Sequence, residues 1–266
     1  MPKIQVNGAK LHYTEEGTGP ETILFAHGLL WSGQMFEAQV NALKDRYRCI
    51  TFDFRGQGKS EVTRGGYDME TLYQDTVALI EALGCAPCHF AGLSMGGFMG
   101  MRLAARRPEL LRSLILLGTT ADAEPKENIP RYNRLNFIAR WFGLRLVAAP
   151  VMRILFGQSF LTDPNRAAQR EEWKKHLIAN HRIGITRAVK GVIDRQGVYD
   201  EIDKITTPTL ILVGEEDVAT IPAKAERIHA RIAGSRLVRI PKSGHSSTIE
   251  EPEAVNTAIK AFLSSL

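Results

Sequence analysis

The chain has 266 residues, 44% of them apolar and 24% charged, which suits one large α/β domain and excludes a disordered or fibrous protein. Its net charge is +5, and its three cysteines are too few and too odd in number for a disulfide framework. No signal-peptide core follows Met1 and no apolar run nears the roughly 20 residues of a membrane span, so a cytoplasmic protein with no membrane partner is expected.

The chain opens on a predicted hairpin, Ile4-Gln5-Val6 and Leu11-His12-Tyr13 around a turn containing Asn7-Gly8. Strand-like runs then alternate with helix-like ones. The strands are Ile23–Ala26, Cys49–Phe52, His89–Ala91, Ser113–Leu117, Thr209–Val213 and Leu237–Ile240. Several are apolar on consecutive residues, as strands buried on both faces require. The helices are Gln34–Lys44, Met69–Leu83, Gly97–Arg106, Ala223–Ile232 and Pro252–Leu263. In Met69–Leu83 the residues Leu72, Thr76, Leu79, Ile80 and Leu83 share one face. Such alternation implies a mainly parallel, eight-stranded sheet flanked by helices.

The alternation breaks once, between residues 121 and 200, where helix signals such as Asp163-Pro164 replace strands. The predicted organisation is therefore a core of residues 1–120 and 201–266 with a helical cap of residues 121–200. The cap holds 14 Lys and Arg against 8 Asp and Glu, so the basic excess belongs to it. That excess could attract an anionic substrate, or simply be a solvated outer face. No nucleic-acid-binding motif accompanies it, and no nucleic-acid partner is expected.

Two motifs point away from chemistry. Cys85-Ala86-Pro87-Cys88 follows a helix and opens a strand, the reverse of a redox pair seated on a helix N-terminus, and reads as buried structure. Gly56-Gln57-Gly58-Lys59-Ser60 ends like a phosphate-binding loop, but aspartate stands at position 53 where that loop needs glycine. A structural turn after a strand is expected there.

The chemistry points to Ser94. Gly92-Leu93-Ser94-Met95-Gly96 places a serine between an apolar strand and a helix, on a strained turn with its hydroxyl exposed. The flanking glycines are expected because a side chain there would collide with the neighbouring strand or helix. A serine hydroxyl needs a base, and the base an orienting acid. His245, in the loop after Leu237–Ile240, is the candidate base. Asp217 is the candidate acid after Thr209–Val213, with Glu215 and Glu216 as rivals. An oxyanion would need two N–H donors: Met95, directly after Ser94, and Leu29, in the loop after Ile23–Ala26. His27 is expected to pin that loop. Leu30 and Trp31 are expected to line an apolar substrate pocket.

With these segments placed, the chain resembles the α/β-hydrolase superfamily over essentially its whole length. The resemblance is carried by His27-Gly28, Asp53-Phe54-Arg55-Gly56-Gln57-Gly58-Lys59-Ser60, Gly92-Leu93-Ser94-Met95-Gly96-Gly97, Gly214-Glu215-Glu216-Asp217 and Gly244-His245. It implies the α/β-hydrolase fold with a cap that roofs the pocket, and Asp217 as the triad acid. Dehalogenases and epoxide hydrolases of this superfamily carry an aspartate nucleophile where this chain has Ser94. Ser94-Met95-Gly96-Gly97 is similar to bacterial carboxylesterases, aryl esterase/perhydrolases and 3-oxoadipate enol-lactonases.

The expected activity is thus a serine hydrolase that cleaves a carboxylic ester or lactone through an acyl-enzyme, with no metal or organic cofactor. The alternatives are an enol-lactone or carbon–carbon bond hydrolase with an anionic substrate, and a slow-turnover, hydrolase-like ligand receptor. A small-molecule substrate and a monomer or small homo-oligomer complete the expectation.

Overall fold

The computed structural model describes residues 2–266. Its eight strands are β1 Lys3–Val6, β2 Ala9–Glu16, β3 Thr22–Ala26, β4 Arg48–Phe52, β5 Cys88–Leu93, β6 Leu111–Leu117, β7 Thr209–Gly214 and β8 Arg236–Ile240. They form one sheet in the order β1-β2-β4-β3-β5-β6-β7-β8. β1 and β2 pair antiparallel, as does β2 with β4, and every other pairing is parallel. Each of the eight predicted strands is present.

Burial explains the apolar runs. Every residue of β3, β5 and β7 is buried, because helices cover both faces of the central sheet. The core helices are α1 Glu37–Leu43, α2 Met69–Ala82 and α3 Met95–Arg106, which precede the insertion. In α2 four residues of the predicted inner face, Leu72, Thr76, Leu79 and Ile80, are buried, whereas Leu83 is half-buried just past the helix end; Asp68 caps the helix by accepting from the Thr71 N–H at 2.9 Å.

Between β6 and β7 the chain is helical: α4 Ile129–Phe142, α5 Ala148–Leu155, α6 Gln158–Thr162, α7 Ala167–Ala179 and α8 Arg182–Ile193. The core resumes with α9 Pro222–Arg231, α10 Ser247–Glu250 and α11 Pro252–Leu263. Several helix bounds differ from expectation by one or two residues, and two segments differ in kind. The helix expected over Gln34–Lys44 is a 3₁₀ turn, Gly33–Phe36, followed by the shorter α1. Asp163-Pro164 begins a 3₁₀ turn that leads into α7, with Asp163 accepting from the Asn165 N–H at 2.9 Å.

The strand order positions the site. From β3 the chain moves outward to β4, then returns to the other side of β3 to form β5. The loops after β3 and β5 therefore diverge, leaving a crevice at the carboxyl ends of the strands. Leu29 and Ser94 lie on those two loops.

The two distracting motifs are structural. Cys85 and Cys88 are buried at 4% and 0% exposure. The Asp53–Ser60 turn closes through Oδ2 of Asp53, which accepts from the Lys59 N–H at 2.8 Å, and through Ser60 Oγ, which donates to the Asp53 carbonyl at 2.6 Å; Asp53 Oδ1 ties it to the loop after β3 by accepting from the Gly33 N–H at 2.8 Å.

Candidate active site

Ser94 occupies the joint between β5 and α3, with φ +52° and ψ −109°. For a non-glycine residue this conformation costs on the order of 1–3 kcal/mol and persists only where its surroundings hold it. They do: its N–H donates to the Leu117 carbonyl at 2.8 Å, and its carbonyl accepts from Thr119 Oγ1 at 2.8 Å. Its neighbours on both sides are buried, while Ser94 itself is only half-buried.

The joint is tight enough to require glycine. A Cβ on Gly96 would lie 2.0 Å from the Ala26 carbonyl oxygen, and one on Gly92 would lie 2.4 Å from the Gly96 backbone. Both neighbours are main chain and cannot step aside. Gly96→Ala is expected to destabilise the fold by about 3 kcal/mol through overpacking, read as a lower urea midpoint at unchanged slope. A midpoint within error of the parent's would contradict this account of the turn.

His245 and Asp217 meet from the loops after β8 and β7. His245 Nδ1 lies 2.9 Å from Asp217 Oδ2. The carboxylate only accepts, so Nδ1 carries the hydrogen and Nε2 is left as the acceptor. Asp217 is held in turn: Oδ1 accepts from the Ala219 and Thr220 N–H groups, each at 2.8 Å, and Oδ2 from Thr220 Oγ1 at 2.7 Å. Burial pushes the Asp217 carboxyl up, but the His245 charge and these hydrogen bonds outweigh it, so the net shift is downward. For His245, burial disfavours the imidazolium; Asp217, by charge and hydrogen bond, and Glu250, by charge, prevail and raise it above the usual histidine value.

The rivals of Asp217 are elsewhere. Glu215 is exposed, and Glu216 accepts from the Ser159 N–H at 2.7 Å and from its hydroxyl, which fastens α6 to the loop after β7.

The loop after β3 is a turn closed by the Trp31 N–H on the Gly28 carbonyl at 3.2 Å. Leu30, its third residue, has φ +73°, the value a type II turn demands of a position that favours glycine. Two side chains enforce it: Gln57 Oε1 accepts from the Leu30 N–H at 2.9 Å, and Asn180 Nδ2 donates to the Leu30 carbonyl at 2.8 Å. His27 pins the loop, as expected. Its Nε2 accepts from the Phe54 N–H at 3.0 Å, and its Nδ1 lies 2.7 Å from the Gly28 carbonyl. Burial lowers the His27 pKa, which favours this neutral form. The Leu29 and Met95 N–H groups have no protein acceptor among the described residues.

Ser94, His245, Leu29, Leu30 and Thr220 line one cavity of about 140 Å³. Its roof comes from the insertion and includes Tyr132, Leu135, Leu144, Val151 and Ile185. The charged residues on its wall, Glu124 and Arg195, pair at 2.7 Å and are almost fully buried. Trp31 departs from expectation. It is not among the residues lining this cavity; its ring is buried against Phe156 and Trp173, and its Nε1 donates to Ser246 Oγ at 3.1 Å. It supports the His245 loop instead, through that bond to Ser246.

Residues outside the sequence-level prediction complete the site. Glu250 is fully buried and accepts from the Gly157 N–H at 2.8 Å, the Gly244 N–H at 2.9 Å and the Ser246 N–H at 3.0 Å. Burial pushes its carboxyl up to about 7, against those three hydrogen bonds. It grips the peptides on both sides of His245 and ties them to the insertion. Nothing in the local pattern marks Glu250, whereas Thr220, three residues after Asp217, fits a side-chain-capped turn.

A family model described as alpha/beta hydrolase fold matches residues 21–252. The chain belongs to the α/β-hydrolase family. It is 30% identical over 262 residues to a putative non-heme bromoperoxidase, BpoC, of Mycobacterium tuberculosis, covering 96% of this chain and 98% of that protein. Among solved α/β-hydrolase structures, a thermophilic esterase from Thermogutta terrifontis superposes with a TM-score of 0.92 at 28% identity, covering 100% of this chain and 99% of the other. An enol-lactonase from Burkholderia xenovorans does so with a TM-score of 0.92 at 28% identity, covering 99% and 100%. The α/β-hydrolase assignment supports hydrolase activity.

Proposed function

We propose that this α/β-hydrolase cleaves small, neutral, apolar carboxylic esters or lactones through an acyl-enzyme on Ser94. The observation that carries the reading is that Ser94, held in a strained turn, and the buried His245–Asp217 pair open onto one mostly apolar cavity. Ser94 Oγ attacks the acyl carbon while His245 Nε2 takes its proton. The Leu29 and Met95 N–H groups receive the charge that develops on the acyl oxygen. His245 then returns the proton to the leaving alcohol, and water, activated by the same Nε2, frees the acid. Asp217 keeps Nδ1 protonated and stabilises the imidazolium.

The cavity's size and charge support this substrate class. A volume of about 140 Å³ is close to the ~150 Å³ that admits a benzene-sized apolar ligand. Arg195, the cation on the wall, is neutralised by Glu124, which argues against a carboxylate-bearing substrate. The test is a series of p-nitrophenyl esters with a neutral and an anionic ester of matched size. Catalytic efficiency is expected to rise up to about fourfold per methylene, the worth of ~0.8 kcal/mol, and to stop rising near a six-carbon acyl group. Efficiency tenfold higher on the anionic partner would replace this reading with the anionic-substrate one, and no turnover of any ester or lactone by the folded protein would sink it.

Glu250 gives the reading a pH signature. The base must be neutral to act, so kcat/KM should fall as pH drops through the raised His245 pKa. The Glu250 carboxylate helps to hold that pKa up wherever it is charged, at and above its own value of about 7. Glu250→Gln removes its charge, so the acid limb should move to lower pH and activity persist further into acid. An acid limb that stays in place, or moves up, would contradict this coupling.

A further inference from the structure

The outer surface of the insertion carries an apolar face that the hydrolytic site does not use. Phe137, Trp141, Phe142 and Leu146 are 58%, 65%, 66% and 65% exposed. Phe137 and Trp141 are four residues apart on α4 and so stack on one face. The Phe137 and Phe142 rings lie 6.4 Å apart, centre to centre, and Leu146 follows in the next turn. The other face of α4 is already employed, since Tyr132, Leu135 and Ala139 line the cavity. The exposed group is thus the outside of the cavity's roof, and neither the core nor the site needs it apolar. Isolated apolar residues at a surface are ordinary, but a contiguous aromatic group marks a contact.

The charge around it selects the partner. Between Glu127 and Asp163 the chain has five arginines and no acidic residue. Arg131, Arg134, Arg145 and Arg153 are exposed, and none of them forms an ion pair among the described residues. Arg134 shares the α4 stripe with Phe137 and Trp141, and Arg145 adjoins Leu146. Aromatic rings interleaved with guanidinium groups suit the boundary of a lipid bilayer: the rings enter the headgroup layer and the guanidiniums meet phosphate oxygens. A self-complementary contact between two copies would instead set arginine against arginine with no acid in the segment to answer them.

We infer that this face docks the protein on anionic phospholipid surfaces. The sequence-based expectation of no membrane partner rested on the lack of a spanning segment, and no helix among the described residues is long and apolar enough to cross. α4 has 14 residues, about 21 Å of helix, and lies on the surface rather than through it. Docking there turns the cavity's roof toward the lipid.

The test is sedimentation of the full chain with vesicles of phosphatidylcholine alone or mixed with phosphatidylglycerol. Partitioning should be at least about tenfold stronger on the anionic vesicles and weaken near 0.5 M salt, where screening shortens the reach of the arginines. Trp141→Ser with Phe142→Ser, and separately Arg134→Glu with Arg145→Glu, should each lower partitioning about tenfold or more. These side chains do not line the cavity, so circular dichroism and turnover of a water-soluble ester should match the parent's. The binding readout does not depend on Ser94 chemistry, and a protein that bound vesicles without cleaving esters would keep this inference and lose the functional one. Absence of vesicle binding overturns it, as does binding that ignores both double variants. A dimer dispersed by Trp141→Ser with Phe142→Ser, without vesicle binding, would assign the face to self-association instead.

Discussion

Ser94→Ala is expected to lower kcat by three or more orders of magnitude on any ester the parent turns over, with little change in stability. The hydroxyl is the atom on which the acyl-enzyme would form, and no neighbouring side chain can replace it at the end of β5. Residual turnover would come from the oxyanion donors and from substrate binding alone. Stability should hold because the contacts that fix residue 94 are main-chain ones: its N–H on Leu117 and its carbonyl on Thr119. Ser94→Gly goes one step further. Glycine adopts φ +52° without strain, so that variant should be equally inactive yet as stable as the parent or more so. Steady-state kinetics beside denaturant unfolding would check both halves. A Ser94→Ala enzyme within tenfold of the parent would remove Ser94 from the mechanism.

Asp217→Asn should cost about 10³- to 10⁴-fold in kcat, although the two side chains are almost the same shape. The surroundings dictate how the introduced amide sits. The Oδ1 position accepts from two backbone N–H groups, Ala219 and Thr220, so it must remain oxygen. The amide NH₂ then occupies the Oδ2 position, 2.9 Å from His245 Nδ1. There it donates, which forces Nδ1 to accept and moves the imidazole hydrogen to Nε2. The nitrogen that should take the Ser94 proton then already carries one. Nitrogen chemical shifts of the imidazole would report the tautomer directly, and kinetics the loss. An unchanged tautomer with less than a tenfold loss would show that Asp217 does not orient the base.

These two residues were legible at different depths. Ser94 is marked locally, because a strand-to-helix turn this tight demands glycine at 92 and 96, and that demand is written in consecutive letters. Asp217 had two acidic neighbours, and only the turn decided among them: Glu215 faces solvent, Glu216 holds Ser159, and Asp217 alone reaches His245. Trp31 was misplaced because its direction depends on Leu30 holding φ +73°, a conformation imposed by Gln57 and Asn180 from distant segments.

By itself, the sequence determined the alternation of strands and helices, the eight strands of the sheet, the helical run between β6 and β7 and the turn that carries Ser94. All of these follow from side-chain periodicity and backbone sterics, which act over a few residues. Only the tertiary structure decided where Glu215 and Glu216 go instead, that Arg195 is neutralised by Glu124, and that Glu250 sits buried beside the His245 loop. Those outcomes rest mainly on charges and hydrogen bonds between distant residues, 57 positions apart for Ser159 and Glu216, 71 for Glu124 and Arg195 and 93 for Gly157 and Glu250, and such partners become neighbours only once the sheet has ordered its strands.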